Sequence, residues 1–469
     1  MTPPPPAPPH LAAQPAGALG APPALAAPAA SAHHRAGLQS LLLLVAAHLA
    51  FGVVAEGYRV LATLHALATL ALGLRFALRR ETCSQAIYVC AYIATADVLW
   101  RMSKAQVFWE YGKYSMILIL LVIMVRQGVQ PGLGRWAMLY FALLIPSAAL
   151  TLGYFGVTSD LRRALSFNLS GPLSIAIAVI FFSGLRGRLP DLSQLLTWML
   201  MPVISIFSIA GYSTLTAGRI DFSLNANFTT SGGFGPNQVS AVLGLGALAA
   251  LMLALNTTSP PLRLTYLGIA AVIQLQSLLT FSRGGTFNLV IAVAFLGLHF
   301  IQHRRARSIF VALLGLLIVV GTVFVLPRLN AWTSGMMSQR FGSVDTTGRQ
   351  SLAAADLKLF QQHPVVGVGP GLSAYRRIDE FRRPIAAHTE YTRLLAEHGT
   401  FGGAAILVLG LIVLQAYRLA PTALAKGWVT CLASWSMAEM AHSAMRVVAI
   451  GFLIGLATLP FHRHSRPRR

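Results

Sequence analysis

The sequence predicts an all-α, polytopic integral membrane bundle, and three observations carry that prediction. Of the 469 residues 55% are apolar and only 11% charged, against roughly 25% charged in an ordinary soluble domain. The apolar residues come in blocks of about 20, the length a helix needs to cross a hydrocarbon core of about 30 Å. Between the blocks the basic residues occupy short loops, as they do where a cytoplasmic membrane face retains arginine and lysine. Lysine and arginine total 36 against 14 acids, a net charge of +22. Nucleic acid could take such a charge, but arginines placed beside apolar blocks assign it to the membrane, and no nucleic-acid partner is expected. Cys83, Cys90 and Cys431 offer neither zinc spacing nor a disulfide framework.

Residues 1–36 are rich in Pro and Ala and contain no acid. They cannot bury enough surface to offset chain entropy and read as a disordered cytoplasmic tail. Fourteen apolar blocks follow, at about 38–57, 59–78, 84–100, 114–125, 136–155, 167–185, 193–212, 237–255, 264–281, 284–301, 308–326, 401–417, 424–441 and 446–461. The short fourth block and the tightly spaced last pair leave twelve as the alternative count. Lipid offers the backbone no partner, so each must be helical. With the N-terminus cytoplasmic, the loops holding Arg75, Arg79 and Arg80, Arg126 and Arg135, Arg186 and Arg188, Arg263, Arg304, Arg305 and Arg307, and Arg418 and Lys426 all fall inside, with the basic tail 462–469. Basic loops around Lys104 and around Arg162 and Arg163 run against this pattern. The chain thus divides into eleven spans over 37–326, one long outer loop at 327–400, and three spans over 401–461.

A loop of that length in a compact protein is usually functional. Within it Gly348-Arg349 precedes an amphipathic helix start, and His363-Pro364 stops that helix. Gly367-Val368-Gly369-Pro370-Gly371 suits either a plain turn, the commoner use, or a cradle of N–H groups for phosphate. His388 stands near the cap of a helix that continues through Glu390, Tyr391, Arg393 and Glu397, with Thr389 as the alternative cap. A helix N-terminus disfavours imidazolium, which leaves a neutral base near neutral pH. A lone loop histidine is more often a surface residue. Two arginines change that balance: Arg283, at the outer end of the ninth span in Ser282-Arg283-Gly284-Gly285, where the basic-inside tendency disfavours an arginine, and Arg219, in the outer loop before Gly233-Phe234-Gly235-Pro236-Asn237. Their guanidinium forks suit bidentate phosphate binding, and each could equally snorkel or pair with Asp221. Asp97 and Glu439 are candidate in-span acids. His442, Ser443 and Arg446 form an outer-edge cluster that reads as structural.

Taken together, Gly348-Arg349, His363 to Gly371, His388-Thr389-Glu390-Tyr391 and Glu397-His398-Gly399 resemble the signature loop of the O-antigen ligase and O-antigen polymerase superfamily. Ser282-Arg283-Gly284 and Gly233 to Asn237 resemble two further elements of it, in order from about residue 190 to 450. The resemblance implies a GT-C-like bundle in the bacterial inner membrane. It implies an inverting, metal-independent glycosyltransferase without cofactor, taking a glycan from undecaprenyl diphosphate on the periplasmic side. A ligase passes the glycan to lipid A-core and a polymerase to another lipid-linked glycan. By position the resemblance makes His388 the general base and Arg283 and Arg219 the diphosphate ligands, with Arg349, Gly369, Glu390, Tyr391 and Glu397 in support. Thr389 stands where Asn or Ser is commoner, and fourteen spans exceed the twelve expected of ligases. The rival from another class is a lipid-linked oligosaccharide flippase, which should show two equivalent halves and charges deep in a central pathway. Here the distinctive polar residues lie in outer loops of the second half.

Overall fold

The computed structural model describes residues 27–128, 132–185, 190–300, 319–343 and 348–460, with 307, 308, 311, 312 and 315. Most of the expected N-terminal tail, the middle of the expected eleventh span and the C-terminal basic tail lie outside the described residues. What is described is helix and connecting loop, with no strand among the described residues. In chain order the helices are α1 Ala27–Gly57, α2 Arg59–Ala77, α3 Cys83–Met102, α4 Tyr111–Gln127, α5 Gly134–Ala142, α6 Ala148–Phe155, α7 Ser159–Ser183, α8 Leu192–Thr216, α9 Pro236–Asn256, α10 Pro260–Leu279 and α11 Arg283–Phe300. The long loop 327–400 and the residue before it add α12 Leu326–Trp332, α13 Met336–Gly342, α14 Arg349–Gln362, α15 Ser373–Arg376 and α16 Ile378–Phe381. The bundle closes with α17 Glu390–Leu419, α18 Ala423–Ser443 and α19 Ala449–Ala457.

Eight of these helices are long and apolar enough to cross a bilayer: α1, α2, α3, α7, α8, α9, α10 and α17. Among the described residues, four other apolar blocks miss that standard for local reasons. The block at 136–155 is broken into α5 and α6 around Pro146, α4 has 17 residues and α19 has nine. In α18 the buried Ser436, Glu439 and Ser443 replace apolar residues.

α9 is buried along almost its whole length, whereas α1 and α2 are mostly exposed, as helices facing hydrocarbon would be. Glycine makes the central packing possible. A Cβ on Gly244 of α9 would strike the Gly285 backbone of α11, and one on Gly246 would strike Val203 of α8. Close backbone approach of this kind is how helices associate where lipid supplies no hydrophobic drive.

α17 breaks at Gly399, whose φ of 62 is left-handed and whose would-be Cβ would meet the Pro364 and Val365 carbonyls. The break leaves carbonyls at the end of the 390–398 segment without helical partners. The glycine-rich loop supplies them: the amides of Val368 and Gly369 donate to the Ala396 and Glu397 carbonyls, both at 2.9 Å, and Thr400 donates back to the Pro364 carbonyl at 2.7 Å. A side chain on Gly367 would collide with the Glu397–His398 peptide. The turn is therefore a backbone cap on a broken helix.

One end of the bundle gathers the polar residues. Arg101, near the end of α3, ion-pairs with Asp97 at 2.8 Å and donates to Gln238 at the start of α9 (2.8 Å) and to the Arg446 carbonyl between α18 and α19 (2.9 Å). The starts of α11, α14 and α17 come to this same end.

Candidate active site

Arg283 is placed by the corner between α10 and α11. Phe281 turns the chain in the left-handed region at φ 56, with its ring fully buried. Ser240 of α9 then clamps the new helix, donating to the Ser282 carbonyl at 2.9 Å and accepting from the Gly285 amide at 3.2 Å. A Cβ on Gly285 would strike the Ser240 carbonyl, and one on Gly284 would strike the His442 ring. So the two glycines of Ser-Arg-Gly-Gly let α11 approach α9 and α18 closely. The Arg283 guanidinium donates to the Ser343 carbonyl just after α13, and Arg340 donates to the Phe281 carbonyl at 3.1 Å. The outer loop is docked to the membrane helices through these contacts.

Asn237, one residue after the proline that opens α9, joins two parts of the site. Its Oδ1 accepts from the Ser282 hydroxyl at 2.8 Å and from Arg349 Nη2 at 3.3 Å. Arg349 opens α14, behind Gly348 with φ 75. Burial first, and the nearby Arg283 second, lower its pKa from the ordinary arginine value. The group stays charged, since guanidinium does not deprotonate in proteins, and two neighbouring cations invite an anion.

His388 lies in the segment before α17, which two arginines hold. Arg377 Nη2 donates to the Ile385 carbonyl at 2.6 Å, and Arg446 Nη2 donates to the Ala387 carbonyl at 2.9 Å. Arg377 is itself fixed by a buried ion pair with Asp356. His388 is half-buried, and its Nδ1 is fully enclosed without a hydrogen-bond partner. Burial, then the charges of Arg446, Arg349, His442 and Arg377, depress its pKa to about 4. The imidazole is therefore neutral at pH 7. The expected direction holds, but desolvation and arginines produce it; α17 begins two residues later, at Glu390, behind Thr389.

His442 approaches from α18. Its Nε2 meets Asn288 Oδ1 at 2.9 Å, and Asn288 Nδ2 donates to the buried Glu439 at 2.7 Å. Since Oδ1 can only accept, Nε2 is the donor, and Nδ1 is enclosed without a partner among the described residues. Sequence reasoning left His442 and Arg446 as structural. The signal that singled out Arg283, a basic group at an outer helix end, applied to them equally.

Arg283, Arg349 and His388 thus come together with Arg446 and His442. The remaining candidates do not join them. Arg219 is exposed and makes no hydrogen bond or ion pair among the described residues. Gly369 donates its amide to the helix break, and its φ of 101 with Thr151 against it leaves no cradle. Glu390 and Glu397 are buried and both ion-paired to Arg393, which also donates to Asn168, and neither bonds His388. Tyr391 donates its hydroxyl to the Met437 carbonyl at 2.9 Å. Glu390, Glu397 and Tyr391 instead anchor the first turns of α17.

Comparison with known proteins gives one family. Residues 267–407 match the model of the family described as O-antigen ligase. No curated protein matches the chain. The matched stretch holds Arg283, Arg349 and His388 and leaves out Arg219, His442 and Arg446.

Proposed function

From a chain whose residues 267–407 bear out its resemblance to the O-antigen ligase superfamily, a family of glycosyl-transfer enzymes, we propose an inner-membrane ligase. It transfers a glycan from undecaprenyl diphosphate to a hydroxyl of lipid A-core, at a site facing the periplasm. One observation carries the reading: a neutral, unpartnered His388 beside the guanidinium groups of Arg349 and Arg446, with Arg283 next to Arg349. This is a base set against an anion site.

In the proposed reaction His388 takes the proton of the acceptor hydroxyl. The oxygen forms its bond to the anomeric carbon from the face opposite the diphosphate, inverting it. The bond between that carbon and the diphosphate oxygen breaks, and its electron pair leaves with undecaprenyl diphosphate. Arg283, Arg349 and Arg446 stabilise the growing charge, the kind of contribution that is often the largest in catalysis. Arg349 and Arg446 thereby fill the place that the sequence assigned to Arg219. Positive charge comes from side chains, so the proposed reaction needs no divalent ion, and chelators should leave the rate unchanged.

The test is transfer by the purified chain in proteoliposomes, with undecaprenyl-diphosphate-linked glycan as donor. Product on lipid A-core, lost in His388→Ala, supports the ligase. Product only on a second lipid-linked glycan would make it a polymerase. Glycolipid translocation by His388→Ala at the wild-type rate, with no transfer by the wild type, would sink the enzyme reading in favour of a flippase.

A further inference from the structure

A second compartment adjoins the first and is not used by the reaction as described so far. It is a cavity of about 290 Å³ whose walls include Lys113, Asn168, Tyr375, Ala387, Glu390 and Arg446. Arg446 belongs to both compartments, because it also donates to the Ala387 carbonyl immediately before His388. Arg283, Arg349 and His442 do not line the cavity.

The two compartments differ in charge. Around His388 lie Arg349, Arg377 and Arg446, with Arg283 beside Arg349, against two buried acids, Asp356 on Arg377 and Glu439. In the cavity, apart from the shared Arg446, the charges are matched: Arg393 lies between Glu390 and Glu397, Arg163 is 3.4 Å from Asp160, and Lys113 feels the Glu390 carboxylate. A diphosphate belongs in the first and a neutral ligand in the second.

Hydrogen-bonding capacity says which neutral ligand. Lys113 is 2% exposed, yet its ammonium, with three donors, makes one hydrogen bond among the described residues, to Ser170 at 3.3 Å. Glu390, fully buried in the cavity wall, accepts one bond from Arg393 at each oxygen and keeps a lone pair on each. Spare donors beside spare acceptors suit adjacent sugar hydroxyls, which give and take at once. Phe167 and Tyr375 add flat apolar surface of the kind that covers a sugar's C–H face.

We infer that this cavity is the acceptor subsite and holds the terminal sugar of the acceptor glycan between Lys113, Glu390 and Tyr375. The reacting hydroxyl then extends past Ala387 to His388. The inference rests on the glycosyl-transfer reading above. It also meets a demand of inversion, that nucleophile and leaving group occupy opposite sides of the anomeric carbon.

The test uses Tyr375→Ala and Ala374→Trp, the first removing a wall and the second filling the space, in the full-length chain reconstituted in proteoliposomes. KM is measured separately for undecaprenyl-diphosphate-linked glycan and for whichever of lipid A-core and lipid-linked glycan the wild type uses as acceptor. KM does not depend on the active fraction, so partial misfolding does not disturb the comparison. The expected result is acceptor KM raised about tenfold or more, the range in which loss of pocket contacts acts, with donor KM unchanged. Unchanged acceptor KM in both variants overturns the assignment, and so does a rise in donor KM alone, which would place donor sugars there. A wild type that transfers to neither acceptor removes the glycosyl-transfer reading and this inference with it.

Discussion

The base role proposed for His388 rests on what surrounds it. Enclosure and the neighbouring arginines hold its pKa near 4, so the proton-accepting form dominates above that pH. The rate is expected to fall as pH drops through the value, with the acid limb of kcat/KM near 4. The limb of kcat should lie higher, because a bound diphosphate offsets the arginines and favours imidazolium. In Arg446→Ala the cation that contributes most to the depression after burial is gone, so the limb of kcat/KM should move up in pH; a limb that stays in place would disconnect the two residues. His388→Ala should lower the rate about 100-fold to 10,000-fold. For the anion site, Arg349→Ala should cost about 100-fold to 1000-fold, whereas Arg219→Ala should act within a few-fold of wild type. Steady-state transfer by the two variants, side by side, checks the replacement of one arginine by the other.

At the scale of the element, the break in α17 governs how the site is mounted. Gly399 at φ 62 lets the segment 390–398 depart from the spanning part of the helix, and the loop 363–371 ties off the exposed carbonyls. Gly399→Ala would place a Cβ in a left-handed residue and against two carbonyls. At φ 62 and ψ −140 the backbone conformation alone costs a non-glycine residue about 1–3 kcal/mol, and the overlap adds to it. A lower melting temperature in detergent with weakened transfer is the expected outcome, and a variant with unchanged melting would contradict the role of the break. The helix boundaries of this region were readable in advance: Gly348-Arg349 does open a helix, and His363-Pro364 does end it. The purpose of the glycines was open, because a phosphate cradle and a backbone cap use the same residues. Only the fold shows that the partners are the carbonyls of Ala396 and Glu397.

For the whole molecule, the apolar blocks established an all-helical membrane bundle, since hydrocarbon length and backbone satisfaction leave few other forms. Among the described residues eight helices are long and apolar enough to cross alone; composition does not reveal a break such as that around Pro146 or a polar buried face such as that of α18. His388 and Arg283 were visible as unusual residues on the outer side. Arg349 was seen as accessory and Arg446 as structural, since their meeting depends on contacts across more than 50 residues of chain, as between Arg446 and Ala387. Glu390 and Glu397 illustrate the opposite error: proximity in sequence to His388 suggested partnership, but Arg393 takes both.

Asn237 carries a final consequence. One amide oxygen serves both Ser282 and Arg349, so the residue touches the anion site with a dipole and no charge. Asn237→Asp keeps the shape and adds a resident carboxylate, an internal counterfeit of the phosphate group that cannot diffuse away. Donor affinity should drop while the protein melts no lower than wild type, and raising donor concentration should recover much of the lost rate. The amide at this position is, on that view, what keeps the enzyme from inhibiting itself.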